Sequence, residues 1–316
     1  LDASRVTSFR RFGWAVLAVN VLVIVGGALV RASGSGAGCG SHWPDCNGEI
    51  VPLDPSVETV IEYSHRTTSG LALVLVLAQV VWAFRLFPRA SFASHPVRRS
   101  AVFGLVFILI EALIGAMLVK LELVGNNGSM WRALIVGGHL VNTFLLLGAL
   151  TLTPTLSSSA HAEPASLRGA PLSTPLWIAV GLLLLVGAAG AITALGDTLF
   201  PADSLTEGFA ADTAYDAHPL VRLRVIHPLI AVLAYLYLIG LSVLGPAVAE
   251  KTRPGARAAL ERPMRVLTVL ATAQIAGGFL TLLLLAPLWL QLSHLLLADL
   301  VWIALVTVVA TAARPS

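Results

Sequence analysis

Residues 61–86 read IEYSHRTTSGLALVLVLAQVVWAFRL. They belong to an apolar stretch, 59–86, longer than the roughly 20 helical residues that cross a hydrocarbon core of about 30 Å. Three ionisable residues, Glu62, His65 and Arg66, stand near one end of it. Such groups are costly inside a span and usually face a bundle interior, where they act. Two questions follow: how many spans there are, and what the histidine meets.

Seven further stretches have the same character, near 12–31, 99–120, 131–153, 175–196, 221–247, 264–285 and 287–312. Composition agrees. Of 316 residues, 57% are hydrophobic and 12% charged, and mean hydropathy is +0.85. Soluble domains carry about 45–50% apolar and about 25% charged residues. So little charge cannot cover a soluble surface of this size, and the chain reads as an integral membrane protein. The first apolar run is full length and leads straight into a loop, so it reads as a span rather than a cleaved leader.

The net charge of +3 hides a bias. Fourteen of the 20 Lys and Arg, including Arg10, Arg11, Arg89, Arg168 and Arg314, fall in the N-terminus, the even-numbered loops and the C-terminus. Acids such as Asp45, Glu49, Asp197 and Asp212 gather in the odd-numbered loops. The positive-inside rule then puts both termini in the cytoplasm. Basic charge here reports orientation and gives no sign of nucleic acid.

The chain also repeats itself. VGGALVRASG near Gly26 returns as VGAAGAITALG near Gly187, an offset of 161. The offsets are 162 for His65 and His227, 163 for Glu111 and Gln274, and 155 for His139 and His294. With an even number of spans per half, both halves insert the same way up. The expected fold is an all-α membrane protein of eight transmembrane helices, arranged as two parallel pseudo-symmetric four-helix bundles. The bundles are 1–153 and 175–316, joined by a cytoplasmic linker over 154–174 that is rich in Pro, Ser and Ala.

His65, His139, His227 and His294 fall in the second, fourth, sixth and eighth spans, four to eight residues from the span start. At 1.5 Å per residue this is one common depth, about 6–12 Å down. A single buried histidine is most simply a neutral group hydrogen-bonded to its neighbour. Four of them, paired by repeat and matched in depth, call for a ligand. Two imidazoles facing across a bundle suit bis-histidine haem, whose iron takes two axial nitrogens while the apolar porphyrin fills the gap. The expected pairs are His65 with His139 and His227 with His294. Zinc or copper is disfavoured, because two ligands do not complete such a site. Arg31, Arg66, Arg132, Arg222 and Arg224 lie near the same helix ends, placed to pair with propionates or simply to anchor at the interface.

The halves differ in one carboxylate. Glu62 stands three residues before His65 on the same helical face, and its counterpart near Leu223–Arg224 is not acidic. One Glu-x-x-His copy is too few for a di-iron carboxylate bundle, which needs two copies and two further glutamates. The first half therefore reads as reactive and the second as supporting. The plainer reading of Glu62 is an interfacial partner for Arg66. Glu111 and Asp299, five residues after His294, read as interhelical hydrogen-bonding groups. Cys39 and Cys46 share the first outer loop, GSGAGCGSHWPDCNGEI, where a disulfide, two free thiols and a metal site with His42 are all open, in that order.

Taken together, GGALVRASGSGAGC, HWPDCNG, IEYSHR, GGHLVN, IHP and LSHLLLA resemble the haem A synthase family across all eight spans. The resemblance implies oxidation of a methyl substituent of haem O to the formyl group of haem A. It places haem O between His65 and His139, and a haem b cofactor between His227 and His294. It also implies a Cys39–Cys46 disulfide, makes Glu62 important for turnover, and suggests the plasma membrane of a prokaryote. A haem O synthase, a farnesyltransferase, would supply substrate; terminal oxidase assembly would receive product, and an unidentified electron-transfer partner would be needed. The loop segment GSHWPD departs from the family pattern, so His42 carries no role over. The competing class is a di-haem b carrier of cytochrome b561 type. A parallel-repeat transporter would instead spread its polar residues along a path.

Overall fold

The computed structural model describes residues 2–87, 95–157 and 172–313. Within them the chain is helical: α1 (Ala3–Ala32), α2 (Val57–Leu86), α3 (Pro96–Lys120), α4 (Met130–Ser157), α5 (Ser173–Leu199), α6 (Leu205–Thr213), α7 (Pro219–Leu223), α8 (Ile226–Thr252), α9 (Ala256–Leu283) and α10 (Leu288–Ala312). Eight segments are long and apolar enough to cross a membrane, with α7 and α8 counting as one. All eight coincide with the spans expected from sequence.

The differences lie at the ends. α1 starts well before its apolar run because Asp2 caps it, accepting from the Ser4 N–H at 2.9 Å. Pro154 reads as a terminator, yet α4 continues through it to Ser157. The hydroxyls of Thr153 and Ser157 on either side of it bond back to the carbonyls of Ala149 and Pro154. The sixth span is interrupted at Arg224–Val225. Pro228 explains the break, since it offers no N–H to the Arg224 carbonyl one turn back. Most of the expected linker, with Arg89, Arg168 and Arg314, lies outside the described residues.

The helices α1, α2, α3 and α4 pack in sequence and α4 returns to α1; α5, α8, α9 and α10 pack in the same cyclic order. The seam between the two sets is made by α4 against α5 and α10, and by α1 against α10. Phe144 of α4 stacks on Trp302 of α10, centroids 5.1 Å apart, and lies so close to Gly187 of α5 that a Cβ there would sit 2.8 Å from the ring. One apolar core lies within the second set, around Leu176, Leu241, Leu267 and Leu305. Another joins Val16, Val76 and Leu147 to Trp302. Outward-facing side chains are large and apolar, as at Leu22, Val74, Leu113, Leu185, Leu236 and Val243. A continuous exposed apolar surface is what a lipid-facing bundle presents.

Candidate functional site

The four span histidines are half-buried, in α2, α4, α8 and α10. Three of them lie against a glycine of the preceding span. A Cβ at Gly27 of α1 would stand 2.9 Å from the His65 ring; at Gly190 of α5, 2.9 Å from His227; at Gly278 of α9, 3.0 Å from His294. Each glycine is therefore a gap that the ring occupies. Gly27 and Gly190 are 163 positions apart, so the sequence alignment of Gly26 with Gly187 is two residues out of register; Gly187 serves Phe144 instead. The fourth histidine breaks the pattern, since Gly115 has nothing within 4 Å of a Cβ.

His139 has a different neighbour. Glu111 of α3 brings Oε2 to 2.7 Å from its Nδ1. The ring N–H is not aligned on that oxygen, so this is a close approach rather than a formed hydrogen bond. The other oxygen, Oε1, accepts from Asn142 Nδ2 at 2.8 Å and Thr143 Oγ1 at 3.1 Å. In the second set, Gln274 Nε2 lies 3.3 Å from His294 Nε2. The Glu111–His139 approach is a contact the sequence reading missed. The sequence showed Glu111 and Gln274 as repeat counterparts, but not the register of α3 against α4 that brings Glu111 to His139.

Glu62 is 3% exposed and fully engaged. Its Oε2 accepts the Cys39 backbone N–H at 2.8 Å, and its Oε1 accepts from Arg66 Nε at 3.1 Å and from Arg66 Nη2. Arg66 reaches on to the carbonyls of His42 at 2.8 Å and Asp45 at 2.6 Å. Cys39 and Cys46 form a disulfide. Gly38 lies on the first turn of α2 with no room for a Cβ, and its carbonyl accepts from Thr59 Oγ1 at 2.7 Å. Glu62 and Arg66 thus clamp the disulfide loop onto α2, one turn from His65. His42 lies 3.6 Å from Asp45 at the surface and joins no cluster with the cysteines.

The other arginines are placed as follows. Arg31 crosses the seam, donating to Ala194 O and Thr198 Oγ1 of α5, each at 2.7 Å, and to Gln291 Oε1 of α10 at 3.1 Å. Arg132 donates to Gly125 O at 2.6 Å and Asn127 O at 2.8 Å. Arg224 pairs with Asp212 at 2.7 Å and Asp197 at 3.4 Å. Arg222 is exposed. The guanidinium groups of Arg31, Arg66, Arg132 and Arg224 are therefore committed to carbonyls, hydroxyls and acids of the chain itself.

The histidines can be tested against a haem by spacing. Two axial nitrogens, each about 2 Å from one iron, put the ring centres about 6 Å apart. The centroids of His227 and His294 are 6.4 Å apart, with the rings at 86°. His65 and His139 stand on α2 and α4 of the first set, with Glu111 2.7 Å from His139. Among the described residues no group of three or more His, Cys, Asp or Glu is arranged around a bare metal ion. The donor set, two imidazoles over glycine gaps, fits a haem.

A family model described as cytochrome oxidase assembly protein, COX15-CtaA, matches residues 10–306. The chain belongs to that family. Like its eight spans, the family places it as a multi-pass membrane protein. Among curated relatives, a Thermus thermophilus protein named protoheme IX farnesyltransferase is 45% identical over 296 residues, 93% of this chain and 47% of that protein. A Geobacillus kaustophilus heme A synthase is 41% identical over 162 residues, 51% of this chain and 49% of the relative. A Staphylococcus haemolyticus heme A synthase is 32% identical over 186 residues, 58% of each. The chain spans about half the length of the curated relatives it matches.

Proposed function

We propose that this COX15-CtaA chain is a haem A synthase, built as two parallel pseudo-symmetric four-helix bundles over residues 1–153 and 175–316. The observation that carries the reading is the spacing of His227 and His294, 6.4 Å between ring centres, with both rings seated on glycines. His227 and His294 hold a haem b cofactor; His65 and His139 hold haem O, whose methyl substituent is oxidised to the formyl group of haem A. When bound, the haem pair supplies the redox chemistry of that oxidation. The side chains position it. The glycine gaps let the rings lie between helices, and the apolar lining excludes water from the bundle.

Glu62 is the candidate catalytic group. An electron-poor carbon, or a water attacking it, is served by a nearby carboxylate. The clamp by Arg66 and the Cys39 N–H holds that carboxylate three residues before His65 on α2. Arg222 is the arginine best placed to meet a propionate without giving up a partner, while Arg31, Arg66, Arg132 and Arg224 do so by sharing. Both termini face the cytoplasm of a prokaryotic cell. A haem O synthase supplies substrate, terminal oxidase assembly takes product, and a separate electron-transfer partner accepts the electrons. The farnesyltransferase activity in the name of the Thermus relative would then reside outside the matched half of that protein.

The carrier reading, a cytochrome b561-like di-haem protein, gains from one observation: both Glu62 oxygens are already used in holding the loop. Pigment extraction separates the two. Haem O or haem A beside haem b is expected; haem b alone in both sites overturns the synthase reading. Glu62→Gln is expected to keep both haems and lose at least about tenfold in conversion of haem O, near 1.4 kcal/mol of barrier. Undiminished conversion removes Glu62 from the mechanism.

A further inference from the structure

The two halves differ most sharply in what stands behind the fourth-span and eighth-span histidines. Glu111 is an intramembrane carboxylate whose side chain is 17% exposed. Its Oε1 is fixed by Asn142 and Thr143, the residues three and four positions after His139, so its Oε2 is held facing the ring. Asn142 also bonds the Phe107 carbonyl at 2.9 Å, which ties the arrangement to α3. At the repeat positions, Gln274 replaces the carboxylate, and Leu297 and Ala298 replace the supporting amide and hydroxyl. At these positions the second half thus lacks both the charge and its scaffold; its buried acid, Asp299 of α10, has neither oxygen hydrogen-bonded, contrary to the interhelical bond expected from sequence.

We propose that Glu111 is a positioning residue that accepts a hydrogen bond from the Nδ1–H of His139 and so makes the opposite ring nitrogen a stronger donor to bound iron. The inference rests on the haem reading of His65 and His139. A carboxylate behind a ligating histidine fixes the tautomer and raises the basicity of the ligand. A stronger axial donor favours the oxidised iron, so Glu111 lowers the reduction potential of the first-half site. Gln274 carries no charge and leaves the second-half potential higher than a carboxylate would.

Potentiometry on the haem-loaded protein tests this, with wild type beside Glu111→Gln and Gln274→Glu. Glu111→Gln is expected to shift the first-half oxidised-to-reduced ratio by about tenfold, about 59 mV upward for one electron. The second-half potential should stay put and serve as the internal control for folding. Gln274→Glu should move the second-half potential downward by less, because Leu297 and Ala298 give the new carboxylate no scaffold. A Glu111→Gln protein with a native second-half signal and an unmoved first-half potential overturns the proposal. Haem-free protein gives an independent reading through the nitrogen resonances of His139. An Nδ1-protonated ring in wild type that loses that tautomer in Glu111→Gln supports the proposal, and one tautomer in both overturns it. If His139→Ala keeps its first-half haem, the ligand reading beneath the proposal fails instead.

Discussion

The His227–His294 pair and the His65–His139 pair sit in similar scaffolds and different electrostatics. In the second half two rings face each other at 6.4 Å, with the Gln274 amide 3.3 Å from His294. In the first half one ring is backed by Glu111, and the clamped Glu62–Arg66 pair stands a turn from the other. The lesson is a separation of tasks. Glycine gaps and helix packing decide where a ring can sit, and the few charges within reach decide what a ligand held there would do. The strongest way to break the comparison is to remove one histidine from each half in parallel. His65→Ala and His227→Ala should each abolish one haem completely and leave the other, as read by pigment extraction and by the absorption spectrum of the protein. Loss of both haems from either variant would show one coupled site in place of two.

The glycines give the next largest effect, and they distinguish His139 from the other three histidines. Gly27→Ala and Gly278→Ala place a methyl about 3 Å from a histidine ring, so the ring or the helix must move. Overpacking of this kind costs about 1–3 kcal/mol, which here should appear as a roughly tenfold or greater loss in haem affinity. Gly115→Ala enters open space, and its effect on affinity should fall within about 0.5 kcal/mol. Haem titration of the three purified variants checks the order. Equal losses for all three would mean that His139 also sits on its glycine once a ligand is bound, and the difference between the histidines would disappear.

Much of this was legible in the sequence because the bilayer imposes a length. Eight spans were readable from apolar runs alone, since each must supply about 20 helical residues. The ends were less readable, because they depend on local detail: Asp2 capping α1, α4 continuing past Pro154, and Pro228 breaking the sixth span. The repeat showed which histidines correspond, yet it mispaired Gly26 with Gly187, because small residues abound there and only the ring contact selects Gly27 and Gly190. The arginines were the least readable. Proximity to a helix end left propionates and plain anchoring open for all five, and did not show that Arg31 bonds three groups across the seam or that Arg132 closes its own loop. Which carbonyls a fold leaves free is a property of packed loops, and no residue pattern encodes it. Glu111 was legible as the counterpart of Gln274, but its approach to His139 needed the register of α3 against α4.

The smallest expected effect concerns the feature with no counterpart in the second half, the disulfide loop. Cys39 and Cys46 are seven positions apart, and closing so short a loop restricts the unfolded chain by about 2–3 kcal/mol. Much of the folded loop is held independently: Thr59 holds Gly38, and Arg66 holds His42 and Asp45. The paired substitution Cys39→Ser with Cys46→Ser should therefore lower the thermal midpoint in detergent by a few degrees and leave the loop in place. The Cys39 N–H would be held less firmly against Glu62, so conversion at the first-half site should fall a few-fold. Haem bound by His227 and His294 should keep its spectrum and potential. A second-half spectrum that shifts along with the first would mean that the loop's influence crosses the seam through Arg31, making the two sites one electrostatic unit. Unchanged conversion would leave the loop a purely structural cap, with Glu62 held by Arg66 alone.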